Sequence, residues 1–267
     1  MKYQTKPAKQ NILVTLICLV LLLMNLGAIG GGARQRAKEM VCLSNLRQWG
    51  SVFAMDTEAN NGNFYSGLGP RGYWWALDLD EDKQDWKDMK IWFCPRAMRP
   101  LFDENGNRSS EAAVFSAWGI YRPYDVGPNG ISGSYGINGY VLCISGDMYE
   151  SAVPASAGWR TPYVAEASNV PIFVDALRLD LWPLEIDSPA ANEFEFWSST
   201  NMARCCIDRH NGAVNVLFAD WSSRKVGLKE LWTLKWHRTF NTGGPWTQAG
   251  GVRPSDWPQW MRNFRNY

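Results

Sequence analysis

The side chains able to move a proton, attack a carbonyl or hold a metal are few in this chain of 267 residues. There are two His, His210 and His237, and six Cys, at Cys18, Cys42, Cys94, Cys143, Cys205 and Cys206. No C-x-x-C pair occurs, and no G-x-S-x-G, H-E-x-x-H, phosphate-binding loop or dinucleotide fingerprint. Cys205, Cys206 and His210 with a distant Cys would make up a zinc set, but they lack the two-ligand knuckle on which structural zinc sites are usually built. Asp78, Asp80, Glu81, Asp82, Asp85 and Asp88 lack the ligand-and-Gly spacing of a calcium loop and read as solvated surface. Nothing singles out a carboxylate pair for acid and base work. The expectation is a protein that is not an enzyme, with no cofactor and no metal.

His210 and Asp220, with nine residues between them, invite reading as a dyad. Asn211-Gly212 is a hairpin signal, and residues 213–219 alternate, with Val214, Val216 and Phe218 on one face and Asn215 on the other. An extended strand of that length, at about 3.3 Å per residue, separates the two by on the order of 20 Å. They are therefore expected to be structural: His210 enters the hairpin, Asp220 opens the next turn, and Trp221 widens the loop through Ser222 and Ser223.

The elements that must position these residues begin with an uncharged run at residues 10–33, apolar from Ile12 to Met24 except for Thr15. As a helix the eighteen positions from Ile12 to Ile29 reach roughly 27 Å, close to the thickness of a bilayer's hydrocarbon layer, and the run reads as a transmembrane stem. From residue 34 the pattern becomes amphipathic. Cys42, Leu46, Trp49 and Phe53 recur at helical spacing, while Arg36, Ser44, Arg47, Gln48 and Ser51 take the other face, and Asn60, Asn61 and Gly62 supply a stop.

Beyond residue 62, Gly and Pro recur too often for long helices. Strands are expected at 73–77, 91–94, 139–144 and 170–176, loops at 103–108 and 123–133, and a short helix at 226–237. Cys42 lies on the body-facing stripe and Cys94 ends a strand-like run, so a Cys42–Cys94 disulfide would tie helix to sheet, worth about 4 kcal/mol in the chain-entropy model. Fifteen Trp are unusual, and those at 221, 232, 236, 246, 257 and 260 are read first as packing a long tail onto the sheet, and second as a sugar-stacking platform. A net charge of +1, with basic residues dispersed, argues against nucleic acid.

The run Cys42-Leu43-Ser44-Asn45-Leu46-Arg47-Gln48 following a hydrophobic stem, with Trp92-Phe93-Cys94-Pro95 and Ser134-Tyr135-Gly136-Ile137-Asn138, resembles the pilin-like proteins of the type II secretion pseudopilin class. The stretch from Arg209-His210-Asn211-Gly212 to Asp220 is similar to their H-x(9)-D-G signature, with Trp221 in place of its Gly. Lys6-Pro7-Ala8-Lys9-Gln10-Asn11 stands where the family has its processing Gly and Glu, so the stem is expected to be retained.

The resemblance implies an α+β fold, a long N-terminal transmembrane and amphipathic helix packed on an antiparallel sheet. The divisions are a cytoplasmic leader at 1–9, the stem at 10–33, the amphipathic helix at 34–62 and an exported body at 63–267. It implies a membrane-anchored structural protein of a type II secretion or type IV pilus-like assembly, single-pass in the inner membrane with its body periplasmic or extracellular. Partners are then membrane lipid and other pilin-like subunits in a homo- or hetero-filament, with no nucleic acid. The alternative is an exported, anchored carbohydrate-binding module using the Trp-rich surface on polysaccharide.

Overall fold

Helix α1 runs Lys9–Ala59, 51 residues. The computed structural model describes residues 9–66, 75, 90–103, 105–121, 130–195 and 200–267, with α1 side chains described at 15–19 and from 31 onward. Cys42, Leu46, Trp49 and Phe53 lie on one stripe and are buried, while Ser44, Arg47, Gln48 and Ser51 are exposed. Asn61 and Gly62 take the left-handed conformation, at φ 53° and 79°, and the Gly62 N–H donates to the Thr57 carbonyl at 2.7 Å, which closes the last turn.

The transmembrane stem and the inner-membrane placement are corrected by this structure. Among the described residues no helix is long and apolar enough to cross a membrane. Outside the body, the described side chains of α1 are those at 15–19 and a stretch from Gly31 that carries Arg34, Arg36, Lys38 and Glu39, whereas a span needs about 20 consecutive apolar residues.

Strands β1 (Arg99–Pro100) and β2 (Ser116–Ala117) pair in parallel as a small separate sheet. The main sheet is built from β3 (Tyr135–Asn138), β4 (Pro171–Asp175), β5 (Asp180–Leu181), β6 (Ala213–Phe218) and β7 (Ser223–Gly227), in the order β5-β3-β4-β6-β7. It is mixed, not antiparallel as expected. After β4 the chain reverses and crosses to the far edge of β3, so β5 runs in the same direction as β3.

The 170–176 expectation corresponds to β4. At 91–94 the chain forms a 3-10 turn, Lys90–Trp92, instead of a strand. The strand expected at 139–144 ends at Asn138, whose side-chain oxygen accepts from the Tyr140 N–H at 3.2 Å and starts a 3-10 turn, Gly139–Val141. The helix expected at 226–237 is a 3-10 segment, Leu228–Thr233, after β7. The 73–77 stretch, except for buried Trp75, and the acidic cluster at 78–88 lie outside the described residues.

All residues of β4 and β6 are buried, including Asn215, because both faces of the sheet are covered. On the α1 side the Phe173 ring meets Trp49, Phe53, Trp75 and Tyr135 at centroid distances of 5.3–5.5 Å. On the other side Asn138 donates to the carbonyls of Pro171 and Trp236, each at 2.8 Å. Helix and sheet meet closely at Gly50, where a Cβ would come within 3.1 Å of Leu217 Cδ1 and 3.4 Å of the Trp221 carbonyl oxygen.

His237 is packed edge-on against Tyr140 and Phe240, at centroid distances of 4.8 and 5.4 Å. Glu185 is 3.9 Å from its Nε2, too far for a hydrogen bond, so burial prevails and lowers the imidazole to about 4.

Two outcomes follow from this packing. Gly50→Val forces α1 away from β6 and is expected to cost about 1–3 kcal/mol in a denaturant melt. The folded chain keeps His237 neutral where the unfolded chain protonates it. Stability is therefore full above about 6.5 and is lost as pH falls toward about 4, by up to about tenfold in the unfolding constant per pH unit. Melts of His237→Gln over the same window should show a flatter dependence.

Candidate functional site

Asp175 ends β4 on the α1 face of the sheet, fully buried. The turn before β6 brings two consecutive residues to it. Gly212 N–H donates to Asp208 Oδ1 at 2.6 Å, and Asn211 and Gly212 both take positive φ, 54° and 75°. This curls Arg209 and His210 toward the end of β4: Arg209 Nη1 lies 3.1 Å from Asp175 Oδ1, and His210 Nε2 lies 3.1 Å from Oδ2. The Asn215 N–H donates to Oδ2 at 2.8 Å.

Arg209 is also wholly buried, and its five N–H groups have partners. Besides Asp175 they reach the carbonyls of Val114 (3.1 Å), Ser134 (2.7 Å), Ser116 (2.9 Å) and Ala176 (3.3 Å). One guanidinium thereby joins the β2 segment, the start of β3 and the end of β4.

Two thiols complete the group. Cys42 comes from the buried stripe of α1, with its sulfur 3.8 Å from both Asp175 oxygens and 3.2 Å from the Tyr135 hydroxyl. Cys94 follows the 3-10 turn. Its N–H donates to Ser134 Oγ, Ser134 N–H donates to the Trp92 carbonyl at 2.9 Å, and its sulfur lies 3.4 Å from His210 Nε2. The ligand atoms of Cys42, Cys94, Asp175 and His210 all lie within 4.8 Å of one another, and all four residues are buried.

The charges divide accordingly. Burial opposes the Asp175 carboxylate, but His210 and Arg209 hold it below its ordinary range. Burial likewise opposes the His210 cation, and the Asp175 charge outweighs it, lifting the imidazole to about 9. Burial pushes the Cys94 thiol up, but hydrogen bonds from Cys42 and His210 with the nearby Arg209 bring it down to about 6. Burial pushes Cys42 well up, so it is the protonated partner. The group is a thiolate, thiol, imidazolium and carboxylate enclosed by the core: chemistry suited to holding a metal or to thiol oxidation.

The sequence-derived pair Cys42 and Cys94 is thus brought together, as free thiols. His210 shares their site, and Asp220 does not. Asp220 is exposed beyond the far end of β6, with its Oδ1 accepting from Ser222 N–H at 3.0 Å and Ser222 Oγ–H at 2.6 Å. Trp221, where the signature has Gly, takes φ 64°, the left-handed conformation that Gly adopts without cost.

Asp175 and Arg209 were not singled out as site residues from sequence. The available signal was an Asp at the end of the apolar run Pro171-Ile172-Phe173-Val174, because a carboxylate in such a run needs a buried partner. Cys205 and Cys206 lie elsewhere in the core: Cys205 donates to the Met202 carbonyl at 3.3 Å, and Cys206 Sγ is 3.8 Å from Met261 Sδ. Both thiols are pushed up by burial.

The Trp-rich tail is turned inward. Trp232, Trp236 and Trp257 are buried, and Trp221, Trp246 and Trp260 are half-buried. The indole N–H groups of Trp232, Trp246 and Trp260 donate to the carbonyls of Asp187, Ile186 and Ala190.

Compared with family models, with curated proteins and with solved structures, the chain has no match.

Removing the counter-charge from this site should be far costlier than changing the exposed end of the signature. Arg209→Leu removes one of the two cations from the buried carboxylate and the donors from four backbone carbonyls, and is expected to lose about 3–5 kcal/mol of stability by denaturant unfolding. Asp220→Ala should stay within about 1 kcal/mol of the parent.

Proposed function

We propose that this chain is a pilin-like structural subunit without catalytic activity, whose body grips the base of α1 while the rest of the helix associates with other pilin-like chains. The observation that carries this reading is the change of environment along α1. From Cys42 onward one face is embedded in the body, whereas the described side chains at 15–19 and 31–38 are all exposed. Leu16, Ile17 and Leu19 are each about half exposed, at 52%, 50% and 52%. The 33 residues from Lys9 to Val41 make a rod of roughly 50 Å. Exposed apolar side chains on such a rod favour helix-to-helix packing.

Two further points support the reading. The thiol and imidazole groups of the buried centre are enclosed by the core, out of reach of a substrate. Two surface clefts among the described residues lie elsewhere, one lined by Asn60, Asn63, Phe64, Cys143 and Arg160, another by Arg96, Met98, Glu111 and Phe115. The likeness of the Cys42, Trp92 and Arg209 stretches to pseudopilins agrees with a structural role.

Light scattering and negative-stain imaging of the full chain test this. Assemblies larger than a monomer are expected, and the Leu16→Glu, Ile17→Glu double variant should reduce them to monomers with an unchanged body. A parent chain that stays monomeric at every concentration overturns the reading, and retention on insoluble glycans would favour a carbohydrate-binding module instead.

A further inference from the structure

We propose that Cys42, Cys94, Asp175 and His210 are the four ligands of a structural zinc ion that locks α1 onto the sheet. This goes beyond the assembly role and does not depend on it.

The geometry comes first. Zinc bonds to sulfur at about 2.3 Å and to nitrogen and oxygen at about 2.0–2.2 Å, which makes the edges of a tetrahedral ligand shell roughly 3.3–3.8 Å. Of the six separations here, three are 3.8 Å between Cys42 Sγ and Asp175, 3.4 Å between Cys94 Sγ and His210 Nε2, and 3.1 Å between His210 Nε2 and Asp175 Oδ2, and all six are within 4.8 Å, so four ligands close on one ion with shifts of about an ångström or less. The donor set of two sulfurs, an imidazole and a carboxylate in a closed site suits zinc better than the oxygen-seeking magnesium and calcium.

The charges also close. Two thiolates and a carboxylate carry three negative charges, against two positive charges on the metal and one on Arg209. The loaded centre is therefore neutral, as a buried group requires. Binding releases to solvent the protons that the thiol and imidazole ligands carry and involves no oxidant or reductant.

The surroundings match those of a built site. Metal-ligating carboxylates are ordinarily steadied by hydrogen bonds of their own, and Asp175 has the Arg209 guanidinium on Oδ1 and the Asn215 N–H on Oδ2. Cys94 is fixed through its backbone by Ser134. The four ligands come from α1, the segment after the Lys90–Trp92 turn, the end of β4 and the turn before β6. No two are neighbours in sequence, so the ion can be held only once α1 has docked. Metal binding and helix docking then become one event.

The test uses the purified full chain under reducing conditions. Elemental analysis should find about one zinc per chain. Cobalt exchanged into the chain should give the visible bands of a tetrahedral ion together with thiolate-to-metal charge transfer in the near ultraviolet. A strong chelator should lower the melting temperature, and zinc should restore it. Cys94→Ser should lose the charge-transfer intensity from one thiolate, while Cys143→Ser, outside the cluster, should leave metal content and spectrum unchanged.

Should Cys94→Ser fail to fold, the parent chain still decides the matter through its metal content, cobalt spectrum and chelator response. Recovery of a Cys42–Cys94 disulfide peptide from the natively produced chain would overturn the proposal. So would a reduced chain that takes up neither zinc nor cobalt and melts identically with and without chelator.

Discussion

A carboxylate sealed inside a protein must find positive charge and N–H donors or give up its ionisation, and Asp175 finds both in Arg209. Much of the molecule is arranged around meeting that demand. The guanidinium spends one donor on the carboxylate and four on backbone carbonyls from three separate segments, so the pair is also a spatial crosslink. Because His210 follows Arg209 directly, the same turn places imidazole and guanidinium on the two oxygens of one side chain. The thiol of α1 then meets a polar surface that is already assembled. The polar centre thus fixes where the helix docks, while Trp49 and Phe53 bring apolar surface to that interface against the Phe173 ring.

The parts of the fold legible in the sequence were those with a local period. The stripe Cys42, Leu46, Trp49 and Phe53 and the Asn61-Gly62 stop are written in consecutive turns of one helix, and both stand in the structure where the spacing put them. The apolar run at 170–176 was likewise readable as a strand. What failed depended on partners distant in sequence. Asn215 was placed on the face opposite Val214, Val216 and Phe218, and one strand cannot reveal that this second face is covered too. The parallel pairing of β3 with the two-residue β5 rests on a crossing that leaves almost no periodic trace.

The site was half legible for the same reason. Cys42 and Cys94 were paired on the strength of a helix stripe and a strand end, and their sulfurs do meet, but the groups between them came from two other segments. His210 was read as structural and set apart from Asp220, and the structure does separate these two. Its actual partner, Asp175, lies 35 residues earlier on the adjacent strand, a relation set by the β4–β6 register rather than by any motif. The Trp-rich tail shows the converse: its composition allowed two readings, and the indole hydrogen bonds to residues 186–190 account for its inward orientation.

The unequal grip on α1 has a mechanical side. Among its described side chains only those of the last turns are embedded, with the Glu39–Lys225 ion pair near the point of emergence, and beyond that point the helix is a stiff arm of roughly 50 Å. An arm of that length works as a lever. A tilt of about ten degrees at the fulcrum, a shift of only an ångström or two among Cys42, Leu46 and Trp49, sweeps the free tip through about 9 Å. Tightness of packing at the base is thereby converted into aim at the far end, and any change in the buried centre is magnified several-fold in where the helix points.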